Sequence, residues 1–197
     1  MKRREFLAGG SVAAATWLAA MAGCTTTGPA AAADPAAANA VARREIDEDV
    51  DEVLARLYRS VKGSRELLAK ARGVLVFPDV KGAGFVIGAE YGRGALRVEG
   101  RTLGYFSTMG GSFGAQVGAQ SRAIVYAFMT RSSLDRFKRS SGWSVGADAT
   151  VALVKMGANG KIDSATAVNP IEAFVLTNAG LMAGVSLEGS KVSRLDI

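Results

Sequence analysis

The stretch Gly73–Val98, GVLVFPDVKGAGFVIGAEYGRGALRV, decides the fold. It opens on an apolar run, Gly73-Val74-Leu75-Val76-Phe77, which reads as a strand. Pro78-Asp79-Val80-Lys81-Gly82 reads as a turn, and Gly84 to Tyr91 as a second strand. Gly92-Arg93-Gly94 reads as a further turn into another strand. Side chains alternate along a strand. Phe85, Ile87, Ala89 and Tyr91 therefore share one face, and Gly84, Val86, Gly88 and Glu90 the other. The large apolar set is expected to face a core.

The same grammar recurs downstream. Leu103–Thr108 reads as a strand, Met109-Gly110-Gly111 as a turn, and Ser112–Gln120 repeats the Gly spacing. Arg122–Met129 is apolar on both faces, as a strand covered on both sides would be. Ser132 or Ser133 is placed to cap a short helix ending by Gly142. Trp143–Lys155 alternates cleanly, and Asn159-Gly160 is a hairpin signal. Ile162–Val168 is a weaker strand. Phe174–Thr177, Leu181–Glu188 and Val192–Ile197 follow. Many short strands with few helices predict an α+β fold. Its centre is a strongly curved antiparallel sheet, or barrel-like sandwich, with N-terminal helices packed outside. Glu90, Gln116, Asp148 and Glu188 fall on the small-residue face, which is either a solvent face or a polar groove lined by acids.

Composition narrows the chemistry. Apolar residues make up 49% of the 197-residue chain, enough for a packed core. The formal net charge is +6, and it falls to +4 without residues 1–23, which hold Lys2, Arg3, Arg4 and Glu5. So small a surplus, mixed with acids, points away from nucleic acid. There is no histidine and one cysteine, Cys24. That removes the commonest general base, any intrachain disulfide and any Cys/His metal cluster. No cofactor, no metal and no enzymatic activity are expected.

The N-terminus reads as an address. Basic Lys2-Arg3-Arg4 precedes an apolar run, Gly9–Ala22, that is shorter than the roughly 20 residues of a membrane span. Residues 1–23 therefore read as an export signal. Arg3-Arg4-Glu5-Phe6-Leu7 resembles the twin-arginine type. Met21-Ala22-Gly23-Cys24 resembles a lipobox, in which cleavage before the cysteine is followed by its diacylation. Each buried methylene of an acyl chain contributes ~0.8 kcal/mol, so a lipidated Cys24 would hold the chain to a bilayer. The expected location is the periplasmic side of the cell envelope. Thr25, in place of Asp, favours the outer membrane of a Gram-negative cell.

Residues 24–42, with Pro29 and Pro35 among alanines, read as a flexible tether. Residues 43–197 read as the domain. Ile46, Val50, Val53, Leu54, Leu57 and Val61 recur at helical spacing, with acids leading and bases trailing, in keeping with the helix dipole. A second short helix runs from Ser64 to Ala71.

Ala71-Arg72-Gly73-Val74-Leu75-Val76-Phe77-Pro78, Gly84-Phe85-Val86-Ile87-Gly88, Tyr91-Gly92-Arg93-Gly94, the Gly114–Gly118 segment and Gly180–Gly189 together resemble the SYLF domain family. The resemblance covers roughly Val53–Ile197. It implies a lipid-binding module for anionic lipids, phosphoinositides among eukaryotic members, some of which also bind actin. For an exported member it implies phosphatidylglycerol, cardiolipin or lipopolysaccharide phosphates. Charge clustering nominates Arg56, Arg59, Lys62, Arg65, Lys81, Arg93, Arg97 and Arg101 as headgroup contacts. Two other readings stand beside this one. The first is an interaction lipoprotein that binds a protein partner or itself. The second is a hydrolase using Glu90, Asp148 or Glu188.

Overall fold

The long hairpin of β1 (Gly73–Gly84) and β2 (Ile87–Val98) is the axis of the fold. Pro78 does not end the first strand. It sits in a bulge, where the register of β1 against β2 shifts between Val76 and Asp79. A residue without an N–H costs least where the ladder is already interrupted. Gly92-Arg93-Gly94 is likewise strand, not turn, and the glycines lie opposite the bulge. An alanine Cβ at Gly94 would fall 2.0 Å from the Val76 carbonyl oxygen, so the backbones cross there at a separation only glycine permits. Nor do Met109-Gly110-Gly111 turn, because β3 runs unbroken over Arg101–Phe113. Between β2 and β3 the chain reverses at Glu99-Gly100, whose φ angles of 51° and 77° are those of a tight primed hairpin turn.

The computed structural model describes residues 34–84, 87–113, 120–155, 161–162, 169–178, 180–182 and 185–197. The export signal, Cys24, residues 24–33 of the tether, Gly114–Gly118, Asn159-Gly160 and residues 163–168 of the weaker strand lie outside them. Asp34–Ile197 form one compact unit. Helix α1 spans Pro35–Ser60. It therefore takes in residues 35–42, assigned above to the tether. Asp34 caps it by accepting from the Ala36 amide, and Pro35 occupies the first turn, where a missing N–H removes no helical bond. A short α2 (Ser64–Lys70) follows.

β4 (Gln120–Phe128) pairs with β1, and its residues Ala123–Phe128 are buried on both faces, as their unbroken apolar run requires. Helix α3 (Arg131–Arg139) is capped by Thr130, whose hydroxyl accepts from the Ser133 amide. Trp143–Lys155 is not one strand. β5 (Gly142–Ser144) breaks at Gly146, φ 93°, into a turn held by the Ser144 amide donating to Asp148 at 2.6 Å. The chain regains the sheet as β6 (Ala152–Leu153). β7 (Ile171–Thr177), β8 (Gly180–Leu181) and β9 (Lys191–Leu195) complete it. Of Leu181–Glu188, read above as a strand, only Leu181 is strand among the described residues.

Eight strands lie in the order β5-β9-β3-β2-β1-β4-β7-β6, and β8 pairs with β7. The sheet is a strongly curled, mixed half-barrel in an α+β fold. The pairings are antiparallel apart from β6 with β7, which is parallel. Each face has its own core. Val50, Val53 and Leu57 of α1 and Leu67 and Leu68 of α2 pack on Val76, Ala95, Val125 and Phe174. On the opposite face, Leu134 and Phe137 of α3, Trp143 and Leu187 pack on Phe77, Phe106, Tyr126 and Phe128.

Candidate functional site

The eight basic side chains nominated by charge clustering end up in different surroundings. Arg97 is not a free surface cation. Its Nη2 lies 2.9 Å from Asp51 and 3.4 Å from Asp47 of α1, and donates to the Asp47 carbonyl. The Asp47 carboxylate also accepts from Thr102 and from the Tyr105 hydroxyl, each at 2.8 Å. Burial, then Asp47 beside it, pushes the Tyr105 phenol up. This node clasps α1 to β2 and β3. Arg97→Ala is expected to lower stability by about 1–2 kcal/mol, since it leaves half-buried acceptors short of a partner. Urea unfolding checks this, and Arg97→Ala with Asp47→Ala should cost less than the sum of the two single changes.

Arg56 is half-buried on α1 and its Nε has no partner among the described residues. Arg59 and Lys62 are exposed at the end of α1 and beyond it. Arg65, on α2, is exposed and lies 4.3 Å over the Tyr58 ring. A cleft of about 430 Å³ opens between these helices and the Glu99-Gly100 turn. Arg65 and Arg97 line it together with Asp51 and Glu99, so its formal charges cancel. Arg101 is exposed just past that turn.

Lys81 and Arg93 are exposed on the α1 side of the sheet, on strand segments the helix does not cover. Lys81 Nζ bridges Asp79 at 3.0 Å, yet its side chain stays 77% exposed. Asp79 also accepts from Ser121. Burial alone would raise the Asp79 carboxyl, but these two donors hold it below the usual range. The sequence reading missed the neighbours of this pair. Tyr91, expected to face a core, is 47% exposed, and Met109 beside it is 61% exposed. Alternation grouped Tyr91 with the apolar set expected to meet a core, but it could not say where the cover of α1 stops.

The acids are placed as follows. Glu90 is ion-paired with Arg122 of β4 at 2.5 Å, both side chains largely buried. Asp148, in the Gly146 turn, and Glu188, whose side chain lies against Gly146, are both exposed, with Asp148 bound to its own turn's backbone. Glu172 on β7 was not singled out at all, because nothing in an apolar strand marks one acid as special. It is fully buried. One carboxylate oxygen accepts from the Asn169 amide and side chain, and the other has no partner among the described residues. Burial pushes its carboxyl up, against the pull of Asn169. A carboxyl raised by folding costs stability as pH climbs above the ordinary carboxylate range and costs nothing well below it. Glu172→Gln is therefore expected to stabilise the fold by about 1 kcal/mol at neutral pH. The gain should shrink towards zero near about pH 4, as urea unfolding at the two pH values would show.

Among the described residues, no group of three or more acids or cysteines is placed to hold a metal ion. No helix there is long and apolar enough to cross a membrane. No curated protein matches the chain. Residues 109–196, running from the exposed Met109 to just past the end of β9, match the family model described as Ysc84: Las17-binding protein actin regulator. That is the SYLF family, which the Ala71–Gly94 and Gly180–Gly189 motifs resemble.

Proposed function

We propose that this chain is an exported envelope protein, anchored through acylated Cys24, whose SYLF-like domain binds anionic lipid. Export and anchoring rest on residues 1–24, with their basic start, short apolar run and Met21-Ala22-Gly23-Cys24. Lipid binding rests on the family match and on one observation: Arg59, Lys62, Arg65, Lys81, Arg93 and Arg101 all keep exposed side chains. Cations at a bilayer surface contribute about 1 kcal/mol each, so those that share a membrane-facing surface would add up towards reversible binding. Phosphatidylglycerol, cardiolipin and lipopolysaccharide phosphates are the headgroups an envelope offers. The anchor would supply proximity, and the domain would then meet its lipid at high effective concentration.

Two measurements test the proposal. Cys24→Ser should lose acyl labelling and shift the protein from the membrane fraction. Residues 25–197, which retain the compact unit, should co-sediment with phosphatidylglycerol vesicles at low salt, and failure to do so rejects lipid binding.

The family description names a protein-binding regulator, which favours a second reading, an envelope lipoprotein that holds a protein partner. Cross-linked adducts in whole envelopes, with no vesicle binding, would select it.

A further inference from the structure

Partners in a sheet register share a face. One row therefore runs across six strands on the α1 side: Ser121, Lys81, Tyr91, Met109, Lys191 and Ser144. At its centre stand Tyr91 and Met109, two of the four large apolar side chains exposed among the described residues. Exposed lysines flank them on both sides, Lys81 on β1 and Lys191 on β9. Arg93, also exposed, belongs to the row behind and makes no ion pair among the described residues. The row ahead, Ala83, Ala89 and Gly111, is small and uncharged.

The charge changes sign behind this belt. The row of Arg93 also holds Asp79, and past it α1 presents a ridge of carboxylates. Asp49 on that ridge is pushed up by burial and then by Glu52, Glu45, Asp79 and Glu48, so the acids crowd one another. Tyr91 is four residue steps from Ala95, where the helix packs, a distance of about 13 Å along a strand.

We infer that the Lys81–Tyr91–Met109–Lys191 row is the surface that docks on an anionic bilayer, with this end of the sheet towards the headgroups. The inference rests on the lipid-binding reading above and specifies its contact face. Tyrosine suits the interface because its ring is apolar and its hydroxyl is wet. Met109 offers flexible apolar surface. The lysines reach phosphates on either side while their stems lie along the apolar pair. The carboxylates in the first half of α1 oppose any approach that lays that half of the helix flat on anionic lipid, so attraction at the row and repulsion behind it specify the same orientation.

The test compares two pairs of substitutions that change net charge equally, made in residues 25–197. One is Lys81→Gln with Lys191→Gln. The other is Arg136→Gln with Lys138→Gln, exposed residues of α3 on the opposite face. Binding to phosphatidylglycerol/phosphatidylcholine vesicles is measured at low salt, with unfolding curves confirming intact folds. The sheet pair should weaken binding about tenfold or more, and the α3 pair by no more than about twofold. Tyr91→Ser with Met109→Ser, which leaves charge unchanged, should also weaken binding several-fold. If the parent binds and the sheet pair changes nothing, or the α3 pair matters as much, this docking face is overturned while lipid binding stands. If the parent does not bind at all, both are overturned.

Discussion

Gly94→Ala is expected to destabilise the domain by about 3–5 kcal/mol, enough to unfold a large share of a marginally stable protein. The new Cβ would lie 2.0 Å from the Val76 carbonyl oxygen and 2.7 Å from a ring carbon of Phe77. Neither neighbour can retreat cheaply. Val76 is buried backbone at the edge of the β1 bulge, and Phe77 is fully buried in the α3-side core. Relief requires β1 and β2 to separate where their register shifts, which disturbs both cores at once. Gly92→Ala should cost less, because its nearest neighbour is a Val80 methyl, at 2.8 Å. Gly100→Ala should cost only about 1 kcal/mol, since it has nothing within 4 Å and pays for its positive φ alone. Urea unfolding of the three variants would show that order.

Trp143→Ala is expected to cost about 3–5 kcal/mol. Trp143 is 2% exposed and sits on a strand of only three residues, β5. Its ring meets Tyr126 and Phe137 edge-on at 5.6 and 5.5 Å and Phe128 at 6.2 Å. Those partners come from β4 and α3, so one side chain joins the sheet's edge to its centre and to its second layer. Its hydrogen bonds to β9 are few, and the aromatic packing is what holds β5 in place. Trp143→Phe should retain much of the stability. Near-ultraviolet circular dichroism with urea unfolding would separate loss of packing from loss of the strand.

The positions of these two residues show how far the sequence could be read. β4 was legible because a run apolar on both faces has few other uses. Strand was expected over Gly73–Phe77 and Gly84–Tyr91, but Pro78–Gly82 and Gly92-Arg93-Gly94 are strand rather than turns, and Gly84–Tyr91 holds the end of β1 at Gly84 and the start of β2 at Ile87. Proline-aspartate and glycine-rich triplets make turns when read locally, and only the pairing partner shows that they form a bulge and its crossing point. The break in Trp143–Lys155 was hidden for the converse reason. Its alternation is real, but the left-handed Gly146 and the Asp148 hydrogen bond override it. The start of α1 was in view as Asp34-Pro35, a cap followed by a first-turn proline, and was masked by the alanine-rich composition around it.

The candidate surface divides the same way. Lys81 and Arg93 were found by charge, and they are exposed. Arg97 belongs instead to the clasp with Asp47 and Asp51, some fifty residues earlier, and no local signal could announce that. Tyr91, Met109 and Lys191 become neighbours only through the register of β2, β3 and β9.

Lipid binding by the domain itself is most directly tested by a salt and composition series. Residues 25–197, free of any acyl anchor, are co-sedimented with vesicles of phosphatidylcholine alone and with increasing phosphatidylglycerol. Binding should appear with the anionic lipid, rise with its fraction and fall as salt screens the exposed cations. Absence of binding to phosphatidylglycerol at low salt, or equal binding to both lipids regardless of salt, would contradict it.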